Sequence, residues 1–407
     1  MRNALRPKPN LAAPSDLYID ATDAAGLLNV SLPTLYTYVT RKNIRTNRPP
    51  GSRESWYLRS DVELLKEGRS APSHRQSTPG LTATSAITLL SDGHAYYRGQ
   101  RAVDLAASST LEEVARLLWQ SGEVDPFTGP WPALHPSWKA SWKAMLHFDE
   151  MIDRVMVMLP AMEAANQRAH DLAKTSFLRS GADLLLQATA IEIGHGVRAT
   201  VPVHAYMGKV TGCGEAFEAA IRTVLVLSAD LAMEPATYAV RAAANPGATP
   251  YQCVAAGLAA ASGKRLPSTR TTSFARFIGE IESANAAADP ITSRVRENEP
   301  LPGFGFSPFT TTDSRSVCLW QTLRKLLEGD RRFERFDAAL RLGQELTGLQ
   351  PDFALLGTYV SQRIGGQHKP DLIRIGRLVG WIAHALEQQA ESPLIRWRVN
   401  YKGALPA

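Results

Sequence analysis

The chain has few cysteines: three among 407 residues, Cys213, Cys253 and Cys318. They are odd in number, far apart and in no ligand spacing, which excludes a disulfide framework and the common zinc motifs. A reducing compartment, the cytoplasm, suits them, and no metal site is expected. Long apolar runs are missing as well. No stretch reaches the roughly eighteen apolar residues of a membrane-spanning helix, so no membrane partner is expected. The opening Met1-Arg-Asn-Ala-Leu-Arg-Pro-Lys-Pro-Asn10 is positive, but no apolar segment follows it, so it does not read as a signal peptide. Internal repeats and low-complexity tracts are also lacking, which removes solenoids and repetitive arrays.

What is present suits a soluble globular chain: 44% hydrophobic and 21% charged residues. Its length allows two or three domains with a full core and no covalent staples. The net charge of +6 is unevenly placed, because residues 1–80 hold 12 Lys/Arg against 7 Asp/Glu. An electrostatic case for nucleic acid therefore concerns the N-terminal region, and the remainder is nearly neutral.

Residues 1–16 have no period and read as a flexible tail. From Tyr18 the pattern changes. Asp20-Ala-Thr-Asp23 is predicted to cap a helix whose apolar face is Ala24, Ala25, Leu27 and Leu28. Asn29-Val30-Ser31 forms a turn, and a second helix runs from Leu32, with Pro33 in its first turn. A turn over 47–52 leads to a strand at Trp56-Tyr57-Leu58, and a third helix opens at Arg59. The order, with A-A-x-L-L-x-V-S-x-x-T-L-Y and D-V-E-x-L, resembles the MerR/excisionase-like winged helix-turn-helix over residues 17–70. That resemblance implies Thr34, Tyr36, Tyr38, Arg41 and Lys42 in or beside a major groove, and Arg48 and Arg53 on a wing against phosphates. A docking or dimer module of the same shape, with Tyr36 or Tyr38 in its core, is the other reading. Residues 71–80, rich in Ser and Pro, form a linker.

After the linker, two short strands are predicted around an Asp92-Gly93 turn, then a helix from Ser109 to Leu118. Ala- and Leu-rich segments at helical spacing then cover roughly 150–195, 214–245, 251–262, 272–288, 316–329, 334–347, 352–364 and 370–390. The body is expected to be almost all α.

Four stretches carry a resemblance to citrate synthase. They are Tyr97-Arg-Gly-Gln-Arg-Ala-Val-Asp-Leu105, Leu301-Pro-Gly-Phe-Gly-Phe306 followed by Arg315, Pro351-Asp352-Phe353, and the helix Ile375-Gly-Arg-Leu-Val-Gly-Trp-Ile-Ala-His-Ala-Leu-Glu-Gln388. The resemblance implies a mainly α fold of a large and a small helical domain around a cleft. The large domain would hold 81–267 and 352–407, and the small domain 268–351. The family joins acetyl-CoA to oxaloacetate. By resemblance, Asp352 removes the thioester's methyl proton, and Arg315, Arg377 and Arg396 hold the dicarboxylate, Arg396 reaching the neighbouring subunit's cleft. Leu301, Pro302, Gly303, Phe304 and Gly305 form the loop that contacts the CoA adenine. On its own chemistry, Asp352 after Pro351 also reads as a helix N-cap.

The family's three histidines are replaced. Where it reads A-D-H-E-L-N, this chain has Ala229-Asp-Leu-Ala-Met-Glu234, so Leu231 takes the oxaloacetate-binding histidine's place. Leu266 takes that of the enol-stabilising histidine and Phe306 that of the ketone-polarising one. Losing an oxyanion donor costs roughly 10²–10³ in rate and losing a general acid roughly 10²–10⁴. Lys264, Arg265, Ser268, Thr269 and Arg270 bring new charge and hydroxyls to the second of these loops. Of the remaining histidines, His384 reads as structural, while His94, His195 and His204 are far from the loops in sequence.

The leading expectation is thus a catalytically degenerate member that binds a dicarboxylate or an acyl-CoA, acting as a regulator or non-catalytic subunit. It would form a homodimer, or a heterodimer with a histidine-bearing citrate synthase paralogue, and hold no tightly bound cofactor; acetyl-CoA or another acyl-CoA is the expected ligand. One rival is an active citrate or 2-methylcitrate synthase, an acyltransferase using Asp352 with substitute donors. Another is a metabolite-responsive regulator that binds DNA through residues 17–70.

Overall fold

The computed structural model describes residues 18–42, 44, 46–47, 55–66, 84–128, 138–145, 147–194, 201–263, 271–305, 308–309, 312–364 and 369–390. The chain divides into two compact units, Met1–Ala83 and Thr84–Ala407.

In the first unit the elements run β1 (Tyr18–Ile19), α1 (Ala21–Leu28), α2 (Leu32–Lys42), β2 (Thr46–Asn47), β3 (Trp56–Leu58) and α3 (Arg59–Lys66). β3 is the middle strand of an antiparallel sheet ordered β1-β3-β2. Asp20 caps α1, its Oδ1 accepting from the Asp23 amide at 2.8 Å. Asn29 ends the helix at φ 53°, a left-handed conformation that its short polar side chain tolerates. The Ser31 hydroxyl accepts from the Thr34 amide and opens α2. Ile19, Ala24, Ala25, Leu35, Ile44, Tyr57 and Val62 form the core, with Tyr38 packed beside it. Tyr36 is 53% exposed, so of the two tyrosines only Tyr38 belongs to the core.

The second unit begins with a meander, β4 (Thr88–Ser91), β5 (His94–Tyr97) and β6 (Gln100–Arg101). Asp92 and Gly93 both have positive φ, as the tight hairpin turn requires. Helices follow: α4 (Ala102–Ser108), α5 (Leu111–Trp119), α6 (Lys139–Met145), α7 (Met151–Ala165), α8 (Lys174–Glu192), α9 (Val203–Thr211) and α10 (Gly214–Leu227). The series continues with α11 (Pro235–Ala244), α12 (Pro250–Ala261), α13 (Thr271–Ser283), α14 (Asp289–Arg296) and α15 (Ser314–Leu326). It closes with α16 (Arg331–Thr347), α17 (Phe353–Arg363) and α18 (Leu372–Ala390).

Two segments expected as continuous helical patterns are each divided. The 150–195 stretch is α7 and α8, separated at Asn166–Ala173. The 214–245 stretch is α10 and α11, separated by a turn in which Ala232 sits at φ 51°. Pro235, the first residue of α11, is the one compositional mark of that break; the alanine itself reads as helix. The short α6, α9 and α14 lie outside the segments that periodicity marks.

α18 is the central element and is buried along nearly its whole length. It packs on α5, α8, α10, α11 and α12. Two glycines let its backbone touch the end of α10. A Cβ at Gly376 would lie 2.6 Å from the Leu225 carbonyl oxygen, and one at Gly380 would lie 2.5 Å from that of Ala229. The Gly380 amide donates to that Ala229 oxygen at 2.8 Å. Trp119 Nε1 donates to the Val379 oxygen at 2.9 Å and pins α5 to the same helix. Elsewhere the fully buried Arg154 grips Glu192 with two bonds of 3.0 and 2.7 Å, tying α7 to α8. Burial pushes the Glu192 carboxyl up to about 7 even against the pull of Arg154.

The close approach at Gly380 predicts that Gly380→Ala loses about 3 kcal/mol or more, since the obstacle is partly backbone. Gly279, exposed in α13, is the contrast, because among the described residues nothing beyond its chain neighbours and its own helix's backbone lies within 4 Å of where its Cβ would stand. Gly279→Ala should gain about 0.5–1 kcal/mol. Urea denaturation of both variants checks the pair.

Candidate active site

Main-chain bonds hold the Leu301–Gly305 loop against the head of α17. Phe304 and Pro351 form an isolated antiparallel bridge. The Gly305 amide donates to the Gln350 oxygen at 3.1 Å, and the Asp352 amide donates to the Gly303 oxygen at 2.7 Å. Gly303 and Gly305 both have positive φ, 78° and 81°, and a Cβ at Gly303 would lie 2.6 Å from Leu355 Cβ. Side chains at either position would break the loop. Phe304 and Leu301 close over Gly343 of α16. Asp352 is thereby held at the head of α17, buried, in extended backbone conformation (φ −73°, ψ 147°). It occupies the N-cap position, but its carboxylate makes no capping bond to the helix.

α15 begins beside this junction. The Ser316 hydroxyl donates to the Pro351 oxygen. Arg315, buried, lies with its guanidinium 5.0 Å from the Phe353 ring centroid and 5.6 Å from that of Phe309. Asp313 grips it in two-pronged fashion: Nε to Oδ1 at 3.1 Å and Nη2 to Oδ2 at 2.8 Å. Burial alone would lower the guanidinium's pKa, but the charge and hydrogen bonds of Asp313 outweigh it and raise it.

The third component is the turn between α10 and α11. Asp230 is fully buried and accepts from the Ala232 amide at 2.8 Å. His384 Nε2 lies 3.4 Å from its carboxylate, while Arg241 Nη1 lies 3.4 Å from His384 Nδ1. An arginine at Nδ1 can only donate, so the geometry assigns the proton to Nε2. Burial pushes Asp230's carboxyl up, yet His384 and Arg377 together hold it below its ordinary value. Tyr97 threads into the same turn, its hydroxyl donating to the Leu227 oxygen at 3.1 Å. Burial pushes that phenol up to about 12 against the charges of Arg315 and Arg377, so it stays a neutral donor. Leu231 sits half-buried in this turn. Arg377, on α18, places Nε 3.3 Å from Glu234 Oε1. Its Nη1 is buried and has no hydrogen-bond partner among the described residues.

Asp352 and Arg315 thus lie at the 301–305 loop and the head of α17, and Arg377 lies at the 228–234 turn, with Tyr97 subject to the charges of both arginines. Leu266, Phe306 and Arg396 lie outside the described residues, as do Lys264, Arg265, Ser268, Thr269, Arg270 and His195. In the N-terminal unit Thr34 is half-buried on α2, Arg41 and Lys42 fall in its last turn, and Arg48 and Arg53 lie outside the described residues. His384 is engaged in the Asp230 network, consistent with a structural role. Sequence reasoning missed Tyr97, Asp313 and Glu234. Asp313, two residues from Arg315, and Glu234, where the resembled motif has Asn, were both visible as departures from uncharged neighbours.

Because Arg315 is buried against one carboxylate, Asp313→Ala should cost about 3–5 kcal/mol by leaving a buried cation unpaired. Asp313→Ala with Arg315→Met should recover part of it. Guanidinium denaturation of the three variants measures this.

The family description "Citrate synthase, C-terminal domain" matches residues 78–398. A 2-methylcitrate synthase of Shewanella oneidensis is 24% identical over 368 residues, covering 82% of this chain and 94% of that protein. A citrate synthase of Mycolicibacterium smegmatis is 26% identical over 344 residues, covering 75% and 88%. Among solved structures, citrate synthase from Thermotoga maritima superposes with a TM-score of 0.62 at 18% identity, over 82% of this chain and 97% of that one. Citrate synthase from Thermoplasma acidophilum, solved as a ternary complex with carboxymethyl coenzyme A and oxaloacetate, gives 0.64 at 18% identity, over 80% and 94%. With a family match over most of its length, on this mainly helical fold, the chain belongs to the citrate synthase family.

Proposed function

We propose that this protein binds a dicarboxylate beside Arg377, and an acyl-CoA along Leu301–Gly305, without the family's ordinary citrate-forming turnover. The observation that carries the reading is the 230–234 turn: it offers the hydrocarbon of Leu231 where the family motif has an imidazole. Asp352, Arg315 and Arg377 keep the motif positions of a proton acceptor and two anion holders. The Thermoplasma relative's two ligands support the choice of ligand classes.

Deprotonating a thioester methyl needs a base and a donor for the enolate oxygen; condensation needs a second donor at the ketone. Asp352 supplies the first. With Leu231, Leu266 and Phe306 at the motif's histidine positions, the donors are missing, a deficit of about 10⁴ or more in rate. Binding without turnover suits a regulator or a non-catalytic subunit, in a homodimer or beside a histidine-bearing paralogue whose cleft Arg396 would complete.

The test is CoA-thiol release from acetyl-CoA or propionyl-CoA with oxaloacetate, for the full chain and Asp352→Ala. The expected outcome is no release above background, with a raised melting temperature on adding oxaloacetate or the thioester. Release abolished by Asp352→Ala would instead make the protein an acyltransferase with substitute donors.

A second reading concerns residues 17–70. The exposed Tyr36 and Thr37 on α2, together with the positive balance of this region, support contact with DNA. Binding to duplex DNA should weaken steeply with salt and vanish when residues 1–75 are removed. Electrophoretic mobility shifts at several salt concentrations decide this, and binding that survives the truncation counts against it.

A further inference from the structure

The two arginines differ in how a protein carboxylate holds them. Arg315 is gripped at both prongs by Asp313, at 3.1 and 2.8 Å, and both groups are buried. The nearest approach of Arg377 to Glu234 is Nε to Oε1 at 3.3 Å. That is longer than the roughly 2.7–2.9 Å of a strong charge-assisted bond. The Arg377 side chain is 7% exposed and that of Glu234 is 21% exposed, so the carboxylate reaches in from the open side. Arg377 Nη1, buried, has no partner among the described residues. An unfilled buried donor on a guanidinium is costly, and a ligand carboxylate is the kind of acceptor that would fill it.

The local backbone explains why Glu234 faces Arg377. Ala232 at φ 51° turns the chain sharply, and the Glu234 amide donates to the Ala232 oxygen at 3.1 Å. Glu234 then stands at the N-cap position of α11 (φ −84°, ψ 166°), with Pro235 as the first helical residue. Its side chain makes no capping bond. Glutamate is a poor N-cap, unlike the Asn that the resembled motif writes at this position, so the carboxylate is left to the nearest cation.

We infer that Glu234 is a displaceable internal counter-ion that competes with a ligand carboxylate for Arg377 and so sets how tightly the cleft takes a dicarboxylate. The inference rests on the dicarboxylate reading of the cleft. A ligand carboxylate spanning two prongs of Arg377 must push Glu234 aside and then remain close to its like charge. Asp313 is no such competitor, because its two-pronged buried pair with Arg315 leaves no loose contact to exchange. The site therefore holds one arginine committed to the protein and one that is contested.

The experiment is calorimetric titration of the full chain with oxaloacetate, for wild type, Glu234→Gln, Arg377→Met and the double variant. Near-UV circular dichroism checks the fold, and Glu234→Asn serves as a second neutral replacement. Glu234→Gln should bind about tenfold more tightly than wild type, and this gain should be absent in the Arg377→Met background. Equal or weaker binding by both neutral variants, with Arg377→Met still abolishing binding, overturns the role of Glu234 and leaves the dicarboxylate reading standing. A gain that persists without Arg377 also overturns it. Absence of binding in wild type and in both neutral variants overturns the inference and the dicarboxylate reading together.

Discussion

One buried carboxylate, Asp230, organises the second unit. It has no access to water, so its charge must be met by protein groups or the turn would not hold. The Ala232 amide, His384 and the field of Arg377 meet it, and Arg241 with Glu387 extends the chain of contacts beyond His384. Tyr97 fastens the backbone on the other side. The absence of side chains at Gly376 and Gly380 allows α18 to lie directly on this turn. Hairpin, α10, α11 and α18 are thereby fixed relative to one another by a few polar contacts in an otherwise apolar core.

This arrangement decides which cleft groups are free to act. His384 is spent on Asp230 and Arg241, and Arg315 is spent on Asp313. Arg377 stands differently, since its Nη1 has no hydrogen-bond partner among the described residues. A polar group withheld from its obvious local partner is the kind of feature that a ligand site requires, because desolvating it twice would cost more than the ligand returns.

Much of the fold was legible in the sequence because the signals were local. Asp92-Gly93 announces a hairpin by the φ values both residues take, and Asp20 and Ser31 cap the helices they precede. The break between α10 and α11 is marked in the sequence only by Pro235 at the start of α11; the left-handed alanine before it has no compositional mark and is imposed by tertiary contacts around Asp230. The anchor residues of the site were visible through motif spacing. The pairing of Glu234 with Arg377 was not: it runs across the fold, from a helix cap to the second turn of α18, and no sequence window spans that distance.

Main-chain bonds join the loop to the aspartate: the Gly303 oxygen to the Asp352 amide and the Gly305 amide to the Gln350 oxygen. Such bonds are indifferent to most side chains, provided that the glycines remain. The scaffold of the cleft and its chemistry are consequently inherited on separate terms. Letters facing the cleft can drift, and a lineage can exchange one ligand or reaction for another, without dismantling the frame that presents them.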